Sequence, residues 1–445
     1  MISDSKLPEL KDYKKLESKL PVQIDNPYGQ LVVANGNEQE PVHRWFRFKE
    51  GFSAGLLHRL LESEVSGLSG EITVLDPFCG VGTTLVSAQQ MVQGRPRIQA
   101  VGIERNPFIA FVARTKCLWP MIDIEKLHTC ARRVLEEHGK NDGAIPRLSS
   151  LTTGSCMSRY VSKRIVSLSD RIRNLRNEPI RDTLLLGLAA SVEPLSNVRK
   201  DGRALRLVSR SRRFVSRTVS DKWSQISADC KLLQQEFSNV PIPRVILGDG
   251  RIPTQVGIAP ESVDLILTSP PYPNNIDYSE VYKLELWLLG FVASAAQFLR
   301  LRKSTFRSHP TSELPEPPAE FLREIKSGDL RIILEPLLER TEFSSEKWRH
   351  RLLLGYFSDM WTSLREQDRC LRTNGRAILV VGNSLHGGTH SPYLIPTDLA
   401  VATMAKRLGF KVEALKIARG LMRRLSGNHF LRESVIVLRK CDARG

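Results

Sequence analysis

The chain has 445 residues, 41% of them hydrophobic, enough to bury one large domain with insertions, which is the expected organisation, or two domains. Lys and Arg number 65 against 48 Asp and Glu, a formal charge of +17 that biases the surface toward polyanions, with nucleic acid the natural partner and a generally basic surface the alternative. No stretch nears the roughly 18 apolar residues of a membrane span, and the seven scattered cysteines form no Cys-x-x-Cys pair, so neither a membrane, a metal nor a disulfide framework is expected.

In chain order, MISDSKLPELKDYKKLESKL has no apolar run after its basic residues, and the first 40 residues form an unassigned N-terminal extension. His43-Arg44-Trp45-Phe46-Arg47-Phe48-Lys49-Glu50-Gly51-Phe52-Ser53 leads into an amphipathic helix. ITVLD (72–76) and IQAVGIE (98–104) predict two β-branched strands around a helix that starts after GVGTT (80–84), a βαβ opening. Residues 125–240 interrupt the pattern with a basic, mainly helical insertion. The alternation resumes with VILG (245–248), VDLILTS (263–269), AILVVG (377–382), KVEALKIA (411–418) and SVIVLR (434–439), with helices predicted around 280–297, 352–371 and 396–408. A second insertion, 300–350, begins with LRLRKSTFRSHP and runs through ELPEPPAEF. The expected fold is therefore α/β: a mostly parallel, seven-stranded, Rossmann-like sheet with helices on both faces and helical insertions. Its parts are a first half over 41–124, a second half over 241–299, and a C-terminal part over 351–445, with specificity expected in the two insertions.

Two loops carry chemistry. Asp76-Pro77-Phe78-Cys79-Gly80-Val81-Gly82-Thr83-Thr84 lies between a strand and a helix, where glycines let a ligand rest on main-chain N–H groups. Asp76 ends the strand, where it suits a ligand amino group; Thr83 and Thr84 can cap the following helix; Glu104 ends the next strand, where it suits ribose hydroxyls. Leu85 stands where a dinucleotide fingerprint would place its third glycine. The loop resembles the S-adenosylmethionine loop of the amino-methyltransferases, Asp-Pro-Phe-x-Gly-x-Gly-Thr-Thr, and matches it throughout. The resemblance implies S-adenosylmethionine as cofactor. It assigns the segment ending in Phe52 and Ser53 to the cofactor's methionine end and Asp249, in LGDGR, to its adenine.

Thr268-Ser269-Pro270-Pro271-Tyr272 follows the strand VDLIL. Pro270 and Pro271 rigidify the loop and remove two N–H groups, leaving nearby carbonyls free to accept. The nitrogen of a base amino group is a poor nucleophile because its lone pair is delocalised into the ring. Accepting both of its protons, at Ser269 Oγ and the Pro270 carbonyl, pushes it toward sp³. Tyr272 offers a face on which an extruded base can stack. Ser-Pro-Pro-Tyr resembles the N4-cytosine DNA methyltransferases, whereas N6-adenine enzymes more often begin the tetrapeptide with Asp or Asn. Asn274 to Tyr278, Lys283 to Trp287 and Gly382-Asn383-Ser384 look like further family segments, so the resemblance covers roughly 41–118 and 244–440.

Between Arg199 and Arg217 lie eight cations, Arg199, Lys200, Arg203, Arg206, Arg210, Arg212, Arg213 and Arg217, interleaved with Ser and Gly, a run suited to phosphate and guanine contacts. Double-stranded DNA is the expected partner, in the cytoplasm of a prokaryote; the family resemblance implies a restriction-modification or related DNA-protection setting, in which any cognate endonuclease would be encoded nearby and not physically bound. Adenine N6 of DNA, a tRNA guanine amino group, and a non-enzymatic DNA-binding protein remain as alternatives.

Overall fold

The computed structural model describes residues 7, 9–24, 28–65, 70–91, 97–136, 145, 156–201, 204–210, 214–313, 316–342, 348–387, 392–421 and 430–442. The N-terminal extension contributes α1 (Leu10–Glu17) and β1 (Val22–Ile24). Next come α2 (Ala54–Val65), β2 (Glu71–Asp76), α3 (Thr83–Gln89), β3 (Arg97–Glu104) and α4 (Pro107–Cys117). The first insertion supplies α5 (Ile124–Glu136), α6 (Arg159–Arg173), α7 (Glu178–Leu195), a hairpin of β4 (Val198–Asp201) and β5 (Ala204–Leu207), and α8 (Val215–Glu236). The sheet resumes with β6 (Arg244–Leu247) and β7 (Val263–Thr268), followed by α9 (Tyr278–Val281), α10 (Lys283–Leu288) and α11 (Ala295–Lys303). Then follow α12 (Ala319–Glu324), α13 (Gly328–Glu342), α14 (Trp348–Cys370), β8 (Leu371–Gly382), a small pair β9 (Ser384–His386) and β10 (Tyr393–Ile395), α15 (Thr397–Arg407), β11 (Lys411–Gly420) and β12 (Arg432–Arg439).

The main sheet has eight strands in the order β1-β11-β12-β8-β7-β2-β3-β6. All run parallel except β12, which pairs antiparallel with both β11 and β8. The seven expected strands are all present; the eighth, β1, adds to the edge beyond β11. Its three residues, VQI, are too few to show an alternation in sequence. The predicted helix over 280–297 is broken into α9, α10 and α11: Tyr282, at φ −105° and ψ 20°, leaves helical geometry between α9 and α10, and Gly290 takes φ +71° and turns the chain after Leu289.

Successive residues of the central strands enter opposite cores, the period of two that covers a sheet on both faces. Val74, Leu265, Leu267, Ile378 and Val435 join one cluster, and Leu75, Ile266, Leu379, Val381 and Ile436 the other. The second cluster is roofed by α1, α13, α14 and α15. The first takes in the first insertion: Gly187 of α7 lies under Trp223 of α8, where an added Cβ would stand 2.3 Å from the indole, and the indole N–H donates to the Leu184 carbonyl. Asp229 of α8 accepts from the Val42 N–H and the Trp45 indole and pairs with Arg44, tying the insertion to the segment before α2. The insertion therefore shares the sheet's core instead of forming its own among the described residues. Local caps set the helix starts near the site. Asn106 accepts from the N–H groups of Phe108 and Ile109 ahead of Pro107, and Asp277 accepts from Ser279 and Glu280.

Candidate active site

At the carboxyl ends of β2, β3 and β7 a cavity of about 410 Å³ opens, where a doubly wound sheet binds ligands. Both loops singled out in the sequence form its walls. Asp76, Pro77, Phe78, Gly80 and Thr83 line one end with Glu104, Asp249 and Phe52; Ser269, Pro270, Pro271 and Tyr272 line the other. Ser53, Gly82 and Thr84 do not reach it. The Ser53 hydroxyl accepts from the Leu56 N–H and donates to the Leu31 carbonyl, so it caps α2. Gly82 takes φ +81° as the N-cap of α3, with no side chain capping that helix. The Thr84 hydroxyl reaches back to Asp76 at 2.6 Å, correcting its expected capping role.

Asp76 is the knot of the glycine end. One carboxylate oxygen accepts from the Thr268 hydroxyl at the end of β7 and from the Phe78 N–H, and the other from Thr84. Burial pushes its pKa up to about 6, opposed by those three donors. Glu104 accepts from the Asn106 N–H at 2.7 Å, and burial pushes its pKa up to about 7. Burial also acts upward on Asp249, but its hydrogen bonds and ion pair with Arg251 outweigh that and hold it below the ordinary range. Arg251 is shared with Asp359 of α14. The turn after β6 must be glycine: a Cβ on Gly250 would stand 1.7 Å from the Pro77 carbonyl oxygen.

At the proline end, the Ser269 hydroxyl lies 3.5 Å from the Tyr272 hydroxyl. The Tyr272 ring lies on Gly382, where a Cβ would be 2.7 Å from the ring. The next residues fix the loop from below: Ser384 Oγ and His386 Nε2 lie 3.5 and 3.0 Å from the Pro273 carbonyl. Asn383 bonds to Asp398 and the Phe430 carbonyl, a framework role. Phe48 stacks on Tyr278 and Tyr282 beside the cavity.

Several wall residues escaped the sequence reading. Ser304, Thr305 and Phe306 arrive from the second insertion, and Arg419 and Glu433 from β11 and β12. No local pattern marks them; the sheet order brings in Arg419 and Glu433, and packing after α11 brings in Ser304, Thr305 and Phe306. Gly250 alone had a signal, its place in LGDGR.

The basic run divides. Arg199 and Arg206 face each other in the β4–β5 register and are exposed, as is Arg217 on α8. Lys200 is buried: its ammonium bonds Glu285 at 2.5 Å and lies 4.2 Å from the Tyr282 ring centroid, so it cannot serve as the surface cation expected. Arg210 is half-buried and donates to the carbonyls of Glu193 and Val198. Arg203, Arg212 and Arg213 lie outside the described residues. The Lys49 ammonium donates to the Lys200 carbonyl, fastening the hairpin to the cavity wall.

Among the described residues no group of three or more His, Cys, Asp or Glu could hold a metal, and no helix is long and apolar enough to cross a membrane. Cys79 lines the cavity as a free thiol, and burial, then Asp76 and Glu104, push its pKa far up.

No protein-family model matches the chain. Among curated proteins, the Type II methyltransferase M.BsoBI of Geobacillus stearothermophilus is 25% identical, covering 92% of this chain and 88% of its own. The Type II methyltransferase M.AvaI of Nostoc sp. is 27% identical, over 92% and 89%. Among solved structures, an rRNA methyltransferase, aviRa of Streptomyces viridochromogenes, shares 10% identity at a TM-score of 0.28, covering 91% of this chain and 86% of its own, too distant a superposition to bear on function. The similarity covers 92% of this chain and 88–89% of these two relatives, so over most of its length the chain is similar to Type II methyltransferases.

Proposed function

We propose that the chain transfers a methyl group from S-adenosylmethionine to the N4 amino group of a cytosine extruded from double-stranded DNA, in a restriction-modification setting with a cognate endonuclease and in a prokaryotic cytoplasm. The observation that carries the reading is that the glycine loop and the Ser-Pro-Pro-Tyr loop are two walls of one cavity.

The glycine end fits the cofactor. Gly80, at φ +51°, lets the backbone approach a ligand, and Asp76 and Glu104 present carboxyls suited to an ammonium and to ribose hydroxyls. When bound, S-adenosylmethionine supplies an electrophilic sulfonium methyl. At the other end Ser269 Oγ and the Pro270 carbonyl accept hydrogen bonds from the two N–H groups of the target amine and Tyr272 stacks the base, so the nitrogen is poised as a nucleophile toward the methyl; the one proton the methylated amine sheds passes to solvent. Carbon-5 chemistry would need a thiolate. The cavity's cysteine, Cys79, is held as the neutral thiol by burial. The exposed Arg199, Arg206 and Arg217 suit phosphate contacts.

Digesting DNA treated with the purified protein to nucleosides, followed by mass spectrometry, tests the reading. N4-methyldeoxycytidine is expected. N6-methyldeoxyadenosine would move the assignment to adenine, and 5-methyldeoxycytidine, or no methylated nucleoside, would overturn it.

A further inference from the structure

The proline end of the cavity carries one charged pair. Arg419 of β11 and Glu433 of β12 face each other in the antiparallel register, and Arg419 Nε donates to Glu433 Oε2 at 2.5 Å. Both line the cavity with Ser269 and Tyr272. Backbone geometry places them beside the tyrosine. Glu433 pairs with Gly382 across the β12–β8 ladder. A Cβ on Gly382 would touch both the Tyr272 ring at 2.7 Å and Glu433 Cγ at 3.4 Å. The cavity's other carboxylates lie elsewhere: Asp76, Glu104 and Asp249 belong to the glycine end, and Glu50 accepts from the Tyr282 hydroxyl. Lys49 is committed to the Lys200 carbonyl, and Arg105, after β3, lies with the glycine end. Among the described residues only the Nε–H of Arg419 is engaged, which leaves the paired Nη groups at the end of the guanidinium as parallel donors.

The two candidate bases differ along the edge next to the reactive amine. Cytosine continues from its amino group to N3 and then O2, two acceptors in a row. Adenine continues to N1 and then to a C–H. A planar fork of two N–H groups matches the first edge and leaves one donor unpaired against the second. We propose that Arg419, held in place by Glu433, donates to N3 and O2 of the extruded base and thereby selects cytosine over adenine. This rests on the reading of the site as a cytosine-amino methyltransferase. Arg419 is then a specificity-determining residue and Glu433 a positioning residue.

The test pairs enzyme and substrate changes on a duplex carrying the site that the wild-type protein methylates. Arg419→Met is expected to lower kcat/KM about 10- to 100-fold, the range for a hydrogen bond to a charged donor, with calorimetric S-adenosylmethionine affinity unchanged as evidence of folding. Replacing the target cytosine by 3-deazacytosine, which lacks the N3 acceptor, should cost the wild type a similar factor and Arg419→Met little more. Glu433→Gln should fall between the two proteins. If Arg419→Met fails to fold, Arg419→Lys, which keeps the charge and loses the fork, should show the same insensitivity to the deaza base. N4-methylcytosine formed with an equal deaza penalty in wild type and variants overturns the role of Arg419 alone. N6-methyladenine from the wild type would instead sink the cytosine reading, and the inference with it.

Discussion

The two ends of the cavity are built differently. The glycine end comes mostly from one continuous stretch, Asp76 to Glu104, and works through main-chain turns and strand-end carboxyls. The proline end is assembled from residues far apart in the chain: Ser269 to Tyr272, Gly382 beneath the tyrosine, Arg419 and Glu433. A site for an invariant cofactor can be encoded locally, whereas a site for a selected base draws on long-range packing, where substitutions can change the choice of base without disturbing the cofactor.

The separation is broken most severely at Gly82. Its φ of +81° disfavours an L side chain, and a Cβ would sit 3.2 Å from the Ala113 backbone. Gly82→Arg should abolish S-adenosylmethionine binding in calorimetry while circular dichroism shows a folded chain. Unchanged affinity would move the cofactor away from this end. Next comes Tyr272→Ala, which removes base stacking worth about 1–3 kcal/mol. Transfer should fall while cofactor and duplex affinities hold, and Gly382→Ala should give a smaller loss in the same direction by displacing the ring. An equal loss of cofactor affinity in either variant would merge the two ends.

The pH dependence sharpens the contrast. Asp76 and Glu104 titrate at about 6 and about 7 in the fold, raised chiefly by burial from 3.8 and 4.5. The native state therefore keeps protons that the unfolded chain has released, so their contribution to stability falls as pH rises through that window. Cofactor affinity should move the opposite way, because ionised carboxylates are the better acceptors, with a drop of about tenfold or more from pH 8 to pH 5.5. A flat profile in calorimetry would contradict the assignment of these two carboxyls. The smallest effect on chemistry belongs to the outer surface. Replacing Arg199, Arg206 and Arg217 with Ala should reduce the slope of log DNA affinity against log salt by about three and leave cofactor binding unchanged. An unaltered slope would mark the three as a solvated face.

What the sequence made legible follows the same division. Seven strands were visible because each carries an apolar-rich segment of four to eight residues between breakers, and both loops because their chemistry is contiguous. Edge strand β1 was hidden by its brevity. The division of the basic run was hidden because nothing local distinguishes Arg199 from Lys200: adjacent residues on a strand point to opposite faces, and only the packing of β5 beside α9 decides which face is buried. Thr84 looked like a cap because it opens a helix, and it bonds backward because Asp76 ends the neighbouring strand. Arg419 and Glu433, at opposite ends of a β-hairpin connection, meet only in the folded register.

The central claim is that one cavity separates holding the methyl donor from activating the target amine. Ser269→Ala addresses it most directly, measured as the single-turnover methylation rate alongside calorimetric affinities for S-adenosylmethionine and duplex DNA. The account predicts a rate lower by about 100- to 1,000-fold, as for loss of one polar contact in a water-excluded reaction site, with both affinities essentially unchanged. An unchanged rate, or a loss of cofactor affinity in proportion to the rate, would contradict it.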